Sequence, residues 1–445
     1  MYVADGEDAL PPENPVHSGL DFHGWNNSYQ EVYGDVDVGA MYSPTSRKTE
    51  VDLRTLLAES TYTLNFVVTA GTLTVNWGDG GSPDDISSSG TLSHTYMARG
   101  NYTISIEASA DAAWSPGSYF CNGGNSAAEY CTHAIRFWGI AELGANVLNN
   151  CRNLRSVVIP TSVESIGNYA FQNCRSLVCA VLPGYITSVG NYAFAYCHSL
   201  STMIWPESCA TVPSYCCYQC PSLSKLILPT GVTAIGANAF CGGDSFVGVG
   251  FCGLEEVWIP NGVTALGDSA FSSCCGLHQL RLSPDLTVLP SSCFRDCYAL
   301  RSVTIPQNVT TIGNDCFRDC YSLHTVRLPN ALATIGNYAF YNCYGIFDLA
   351  LPSTLTSVGA YAFAGSALTA VTIPATVTSI GGSAFRCDSL LNITVLPTTV
   401  PSAGDAYIFG ENSNRKIVVP ASCLTSYKTA TNWVSFEYSI FESES

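Results

Sequence analysis

The sequence predicts a mainly β protein, in which a small β-sandwich precedes a solenoid of about eleven coils of 23 residues. Three observations predict this fold. The segment Gly-Asn-Tyr-Ala-Phe begins at Gly167 and again at Gly190, 23 residues later. Residues 61–108 alternate polar and apolar side chains, as half-buried strands do. Apolar residues make up 47% of the chain and charged residues only 12%, which indicates an ordered protein.

The repeat is defined by eleven aligned turn positions. Their spacing is 23 residues, apart from one step of 31 that contains an eight-residue insertion within 240–254, and a last step of 22. No single unit can bury its apolar side chains alone, whereas stacked units share one continuous core, so the repeat predicts a solenoid. The turn positions are Gly144, Gly167, Gly190, Pro213, Gly236, Gly267, Pro290, Gly313, Gly336, Gly359 and Gly381.

One copy shows how a coil is built. Leu323, Val326 and Leu328 form a short strand pattern, and Pro329 ends it because proline lacks an N–H for the ladder. Gly336 is expected to permit the bend that follows. Each copy therefore predicts one strand, one turn and one return segment.

The consensus L-x-x-V-x-I-P-x-x-V-x-x-I-G-x-x-A-F-x-x-C resembles the leucine-rich repeats of BspA-like proteins, also called the Treponema pallidum type. The resemblance covers about 250 residues. It implies a leucine-rich repeat solenoid and a role in surface adhesion or in binding a host or partner molecule, with ligands that vary within the family.

Cysteines recur in register with the repeat, three residues after the phenylalanine position or its equivalent. Such a cysteine can fill the core and offer its S–H to a backbone carbonyl. A zinc site is the alternative, since Cys293/Cys297 and Cys316/Cys320 lie on neighbouring coils. We favour the structural role because Cys293 and Cys316 occupy a slot that is alanine in other coils. The register cysteines are Cys151, Cys174, Cys197, Cys220, Cys274, Cys297, Cys320 and Cys343.

Other cysteines fall outside this register. Cys121 and Cys131 flank one loop, and Cys241 and Cys252 flank the insertion. Each pair is a candidate disulfide or a pair of free thiols.

The segment before the repeat carries a second resemblance. Trp77-Gly78-Asp79-Gly80, His94-Thr95-Tyr96 and Gly100-Asn101-Tyr102 are similar to a PKD-type immunoglobulin-like module, over about 60 residues. Asp79 is a candidate calcium ligand or acid, but an aspartate that caps its own turn is the favoured interpretation. His94 is interpreted as a packed strand residue.

Five segments follow from these patterns. Residues 1–45 resemble the end of a Listeria–Bacteroides (internalin B-repeat) module without its opening strand. The remaining segments are a PKD-like β-sandwich at 46–112, a junction and N-terminal cap at 113–143, the BspA-like solenoid at 144–396 and a C-terminal cap at 397–445.

Charge and motifs exclude several functions. Residues 1–143 hold 18 acidic and 5 basic residues, which argues against a nucleic-acid partner. No apolar run is long enough for membrane insertion, and Met1 is not followed by a signal peptide. No nucleophile elbow, zinc-protease motif or phosphate loop is present, so we expect no enzyme, no cofactor and no metal.

The outward strand positions predict a binding site. In such coils the residues between the buried ones face the concave side. Read across coils, they bring basic side chains beside a tryptophan, a combination that suits an acidic glycan or an acidic protein segment. Ordinary solvated strand residues are the alternative interpretation. The predicted ligand-binding residues are Trp258, His278, Arg281, Arg301, His324 and Arg327.

The leading hypothesis is a non-enzymatic extracellular or cell-surface protein of a bacterium, which binds a host or neighbouring-cell surface protein or an acidic glycan. One alternative is a structural subunit of a virion appendage, such as a phage tail or fibre, or of an extracellular filament. Another is an accessory binding module of a polysaccharide-degrading system. The sequence leaves a homo-oligomer open.

Overall fold

The structure, a computed structural model, is mainly β with little helix, and its coils of roughly 23 residues repeat about 13 times. Two compact units divide the chain, Met1–Val232 and Thr233–Ser445. Within the described residues, no helix has the length and apolar character needed to cross a membrane. The structure describes residues 20–25, 40–44, 48–55, 60–121, 130–243, 251–412 and 414–443.

The described strands of the first unit are β1 (Leu20–Trp25), β2 (Ala40–Pro44), β3 (Thr49–Thr55), β4 (Ser60–Ala70), β5 (Leu73–Asn76), β6 (Asp84–Ile86), β7 (Gly90–Tyr96), β8 (Gly100–Ala108), β9 (Ala113–Cys121), β10 (Tyr130–Arg136), β11 (Glu142–Leu143), β12 (Ser156–Val158), β13 (Ser165–Ile166), β14 (Cys179–Ala180), β15 (Ser188–Val189), β16 (Thr202–Ile204), β17 (Thr211–Val212) and β18 (Lys225–Ile227). β1 pairs antiparallel with β2. The rest of the predicted 1–45 module lies outside the described residues.

A β-sandwich occupies residues 60–121 together with β3. One sheet has the order β3-β8-β5-β6 and the other β7-β4-β9, with antiparallel neighbours throughout. The alternation predicted for this segment is confirmed, because β4 buries Tyr62, Leu64 and Phe66 and turns the residues between them outward or partly outward. The likeness to a PKD-type module stays a prediction.

The sandwich is joined to the coils through β10. This strand pairs antiparallel with β3 on one side and parallel with β12 on the other, so one sheet runs from the sandwich into the ladder β12-β14-β16-β18. The end of β9 also contacts the first coil, where the Tyr119 N–H donates to the Asn146 carbonyl at 2.8 Å. The Asn146 N–H makes the same kind of bond to Asn168 in the next coil, at 2.9 Å. The end of β9 therefore takes the place of a preceding coil.

The described elements of the second unit are β19 (Ala234–Ile235), β20 (Glu256–Trp258), β21 (Ala265–Leu266), β22 (Gln279–Arg281), β23 (Val288–Leu289), β24 (Ser302–Thr304), β25 (Thr311–Ile312), β26 (Thr325–Arg327), β27 (Thr334–Ile335), β28 (Ser357–Val358), β29 (Ala370–Ile373), β30 (Ser379–Ile380), β31 (Asn392–Val395), β32 (Ser402–Ala403), β33 (Lys416–Val419), a 3-10 helix (Ala421–Cys423), α1 (Leu424–Thr429), a second 3-10 helix (Val434–Ser439) and β34 (Ile440–Glu442).

The coils of the second unit are held by parallel ladders. One ladder has the order β23-β25-β27-β28-β30-β32, and another, later in the chain, has the order β29-β31-β33-β34. Both continue past residue 396, where the sequence predicts that the solenoid ends. In particular, β30 pairs with β32 in parallel, which adds a coil that the eleven-copy alignment lacks.

Phenylalanine rings form the centre of the second unit. Successive rings are stacked with centroids 5.3 to 6.1 Å apart. The stack ends at Phe409, where Trp433 and Phe436 pack edge-on at 5.8 and 5.7 Å. The helical segment after β33 thus covers the last ring of the stack. The stacked residues are Phe240, Phe271, Phe294, Phe317, Phe340, Phe363, Phe385 and Phe409.

The register cysteines other than Cys151 have the predicted structural role, because each is buried and its Sγ donates to a backbone carbonyl. The Cys320 Sγ donates to the Phe294 carbonyl at 3.3 Å, and the Cys197 Sγ donates to the Phe171 carbonyl at 3.2 Å. Burial raises the pKa of the Cys197 thiol well above its ordinary value, which keeps it protonated as a donor. Within the described residues, no cluster of three or more histidine, cysteine or acidic side chains is placed to hold a metal ion.

Among the described side chains, the cysteines outside the register are not cross-linked to one another. Cys241 and Cys252 are both buried free thiols, contrary to the disulfide alternative for that pair. Cys121 is also a buried free thiol, whereas the Cys131 side chain lies outside the described residues.

The rate of alkylation should distinguish the buried thiols from an exposed one. Only a thiolate reacts, so we expect iodoacetamide to label Cys179, which is exposed, well before Cys197 or Cys320, which are fully buried. Mass spectrometry of native and urea-denatured samples measures this order. Equal labelling rates for Cys179 and Cys320 in the native protein would contradict the structural role of the register cysteines.

Candidate binding face

The predicted site residues all lie on or next to four strands of the second unit, β20, β22, β24 and β26. The central residue of each strand points into the core, with Val257 and Val303 buried and Leu280 and Val326 half-buried. Residues on either side of it are turned outward. This period-2 alternation is what places the site residues at the surface.

Strand register brings the predicted residues together. Trp258 lies opposite Arg281 in the parallel pair β20-β22, and Thr304 lies opposite Arg327 in the pair β24-β26. The His324 N–H donates to the Arg301 carbonyl at 3.0 Å, so these residues are neighbours one coil apart. We call the outward surface of the four strands, with the residue that precedes each strand, the binding face.

The site residues are accessible. The histidines and arginines of the predicted site are exposed, and Trp258 is half-buried. Among the described residues, no carboxylate lies within salt-bridge distance of Arg301 or Arg327, so these guanidinium groups keep their donors available for a ligand. The ring of His324 contacts its neighbour Thr325, with Nδ1 2.9 Å from Oγ1.

Acidic residues border the basic ones, a feature that sequence reasoning missed. Glu255 and Glu256 are exposed on the coil before His278, and Asp348 is exposed on the coil after His324. The His278 Nε2 lies 3.9 Å from a Glu256 carboxylate oxygen. Glu255 occupies the same repeat position as His278, whereas Glu256 lies opposite Gln279, at the next position along the strand. Reading every outward position for both signs of charge would have found these residues.

Neutral polar side chains lie between the basic ones. Gln279, Ser302, Thr304 and Thr325 are all exposed. Ser302 lies opposite Thr325 in the β24-β26 pair. The face therefore combines cationic donors with amide and hydroxyl groups.

In the sandwich, Asp79 and His94 form a polar pair. Asp79 Oδ1 accepts the Gly81 N–H at 3.0 Å, and Oδ2 lies 2.8 Å from His94 Nε2. The Gly81 N–H, with His94, lowers the pKa of Asp79. His94 stacks on Trp77 with ring centroids 4.8 Å apart. Turn capping by Asp79 and packing by His94 are thus confirmed.

Comparison with known protein families agrees with the type of repeat that the sequence predicts. A family model for the BspA type leucine rich repeat region matches six copies, over residues 141–249, 244–347 and 310–434. No curated protein sequence matches the chain.

Several solved structures are similar to this chain. A leucine rich cell surface protein from Faecalibacterium prausnitzii is 27% identical, with a TM-score of 0.40 over 57% of this chain and 76% of that one. The pneumococcal vaccine antigen PcpA is 17% identical, with a TM-score of 0.43 over 69% and 78%. A T. pallidum leucine rich repeat protein is 23% identical, with a TM-score of 0.27 over 48% and 75%.

The family model covers more than half of the chain. The chain belongs to the BspA-type leucine-rich repeat family.

Proposed function

We propose that this protein acts as a non-enzymatic binding protein at a bacterial cell surface, and that the binding face takes an acidic glycan or an acidic protein segment. The observation that carries this proposal is the exposure of Arg281, Arg301 and Arg327, which lie on or next to strands of three consecutive coils. The chain has a net charge of −17, so three arginines on one surface form a locally basic region in an acidic protein. Arginine binds carboxylate and sulfate groups by paired hydrogen bonds, so the ligand should be anionic.

The scaffold favours binding by pre-organisation. Each outward residue lies on or next to a strand whose central residue is buried or half-buried and whose backbone is paired with that of a neighbouring coil. A ligand that spans several coils therefore meets side chains whose backbone positions are already set. Little conformational entropy is lost on binding under these conditions.

Replacing Arg281, Arg301 and Arg327 together with serine should abolish ligand binding. Each arginine can contribute a charge-assisted hydrogen bond of about 1.5 to 3 kcal/mol, so the triple change should lower affinity by about a thousandfold or more. The free energy of unfolding should change by no more than about 0.5 kcal/mol per site, because the side chains are exposed. A binding screen of immobilised glycans and host surface proteins, followed by titration calorimetry and thermal denaturation, measures both quantities.

A matched control uses three exposed arginines outside the binding face. Replacing Arg99, Arg152 and Arg386 with serine removes the same charge from the chain. Binding should be kept in this control and lost in the first variant. Unaltered affinity of the first variant, or equal losses in both, would refute the assignment of the site.

A further inference from the structure

The charge pattern of the binding face is bounded along the coils. The basic residues occupy three consecutive coils, from His278 to Arg327. The coil before them carries Glu255 and Glu256, and the coil after them carries Asp348. Strands in a sheet lie about 4.8 Å apart, so the basic segment spans about 10 Å between its outer coils. It is a short site between two acidic borders.

Such borders select against long polyanions. A uniformly charged polymer that follows the coils would pass its anionic groups over Glu255 and Glu256 at one end and Asp348 at the other. Like charges at contact distance are repulsive, and the repulsion grows as water is excluded from the interface. A ligand with one or two anionic groups meets only the basic segment.

The neutral groups on the face indicate the rest of the ligand. Gln279, Ser302 and Thr325 offer amide and hydroxyl groups between the arginines. Sugar hydroxyls both donate and accept hydrogen bonds, as these groups do. At the border of the basic segment, the half-buried Trp258 lies beside Arg281 and offers an apolar surface on which a sugar ring can pack.

We propose that the binding face recognises a single carboxylated sugar at the end of a glycan chain, with its carboxylate held by the arginines, its hydroxyls by the neutral polar groups and its ring against Trp258. This inference rests on the proposed function and names the ligand class of the same site. An acidic protein segment would use the arginines but has less need of the neutral groups and of the indole.

The test compares four probes on the full chain by titration calorimetry. They are a trisaccharide ending in N-acetylneuraminic acid, the same oligosaccharide without its acidic sugar, heparin, and an oligoglutamate peptide. We expect binding of the first probe, about a tenfold or greater loss when the acidic sugar is removed, and a similar loss for Arg301→Ser and Trp258→Ala. Stronger binding of heparin or oligoglutamate than of the acidic trisaccharide would overturn the inference.

The acidic borders have a test of their own. Replacing Glu255 and Glu256 with glutamine and Asp348 with asparagine keeps the shape of the face and removes its borders. Affinity for heparin should then rise by about tenfold or more, while affinity for the acidic trisaccharide changes by less than about threefold. An unchanged affinity for heparin would show that the borders do not select the ligand.

The two proposals can fail separately. If the trisaccharide does not bind but another ligand from the screen is lost on replacing the three arginines, the ligand class is wrong and the site stands. If no ligand responds to those replacements, the proposed function itself is wrong.

Discussion

Replacing Phe317 with alanine is expected to destabilise the second unit by about 3 to 5 kcal/mol, the usual range for removal of a buried aromatic ring. Phe317 is fully buried, and its ring lies between those of Phe294 and Phe340 at centroid distances of 5.5 and 5.3 Å. Because each coil contacts only its neighbours, the cavity removes packing from both of them. Urea denaturation followed by circular dichroism measures the loss in free energy of unfolding.

Phe347 provides the control for this prediction. It is the same residue type in a nearby coil, but 61% of it is exposed. Its replacement with alanine should change the free energy of unfolding by no more than about 0.5 kcal/mol. The role of the ring stack would be refuted by a loss at Phe317 no larger than the loss at Phe347.

The interior of the coils could be predicted from the sequence because it repeats. A slot that is apolar in every copy has to face the shared core, whatever the details of the turn. The same argument identified the thiol slot, where a small side chain with a weak donor was expected and Cys320 does donate to a backbone carbonyl. Periodicity therefore predicted burial and hydrogen bonding at once.

The end of the repeat was harder to predict. The coil that contains β32 has Ala403 where most copies carry a large aliphatic residue, and one additional residue separates its glycine, Gly404, from its phenylalanine, Phe409. Both departures disrupt a sequence alignment. In the structure, Ser402 and Ala403 still pair in register with Ser379 and Ile380, because backbone pairing does not depend on side-chain size.

The candidate site was predicted only in part. Exposure of Arg281 and Arg327 followed from the alternation of the strands, which the structure confirms. The join between β3 and β10 could not be predicted, because pairing between distant strands leaves no periodic signal. The acidic borders were not predicted, because Glu256 and Asp348 occupy a repeat position that is neutral in the basic coils.

Glycine at the turn positions has a structural role that the sequence did not indicate. They were expected to permit a bend, but Gly336 is not in the left-handed region, whereas Tyr338 is, with a φ of 56°. What requires glycine is the close approach of the preceding coil. A Cβ at Gly336 would lie 2.7 Å from both the Asn314 nitrogen and the Gly313 carbonyl carbon. The absence of a side chain lets neighbouring coils approach.

Replacing Gly336 with alanine should therefore destabilise the second unit by about 3 kcal/mol, the upper end of the usual range for overpacking. The added methyl group meets backbone, which cannot rotate away as a flexible side chain can. Separation of the coils would stretch the bond from the Gly336 N–H to the Ile312 carbonyl, now 2.8 Å, and the bond from the Asn337 N–H to Asn314 Oδ1, also 2.8 Å. Urea denaturation measures the loss.

Gly184 is the matched control, since it also lies in a coil but has no atom within 4 Å of an added Cβ. Its replacement with alanine should leave the free energy of unfolding unchanged or raise it by about 0.4 to 1 kcal/mol, because alanine restricts the unfolded chain. A loss at Gly184 equal to that at Gly336 would show that close approach between coils is not what the turn glycines provide. The difference between the two variants therefore measures the steric demand of coil stacking, separately from the general cost of losing a glycine.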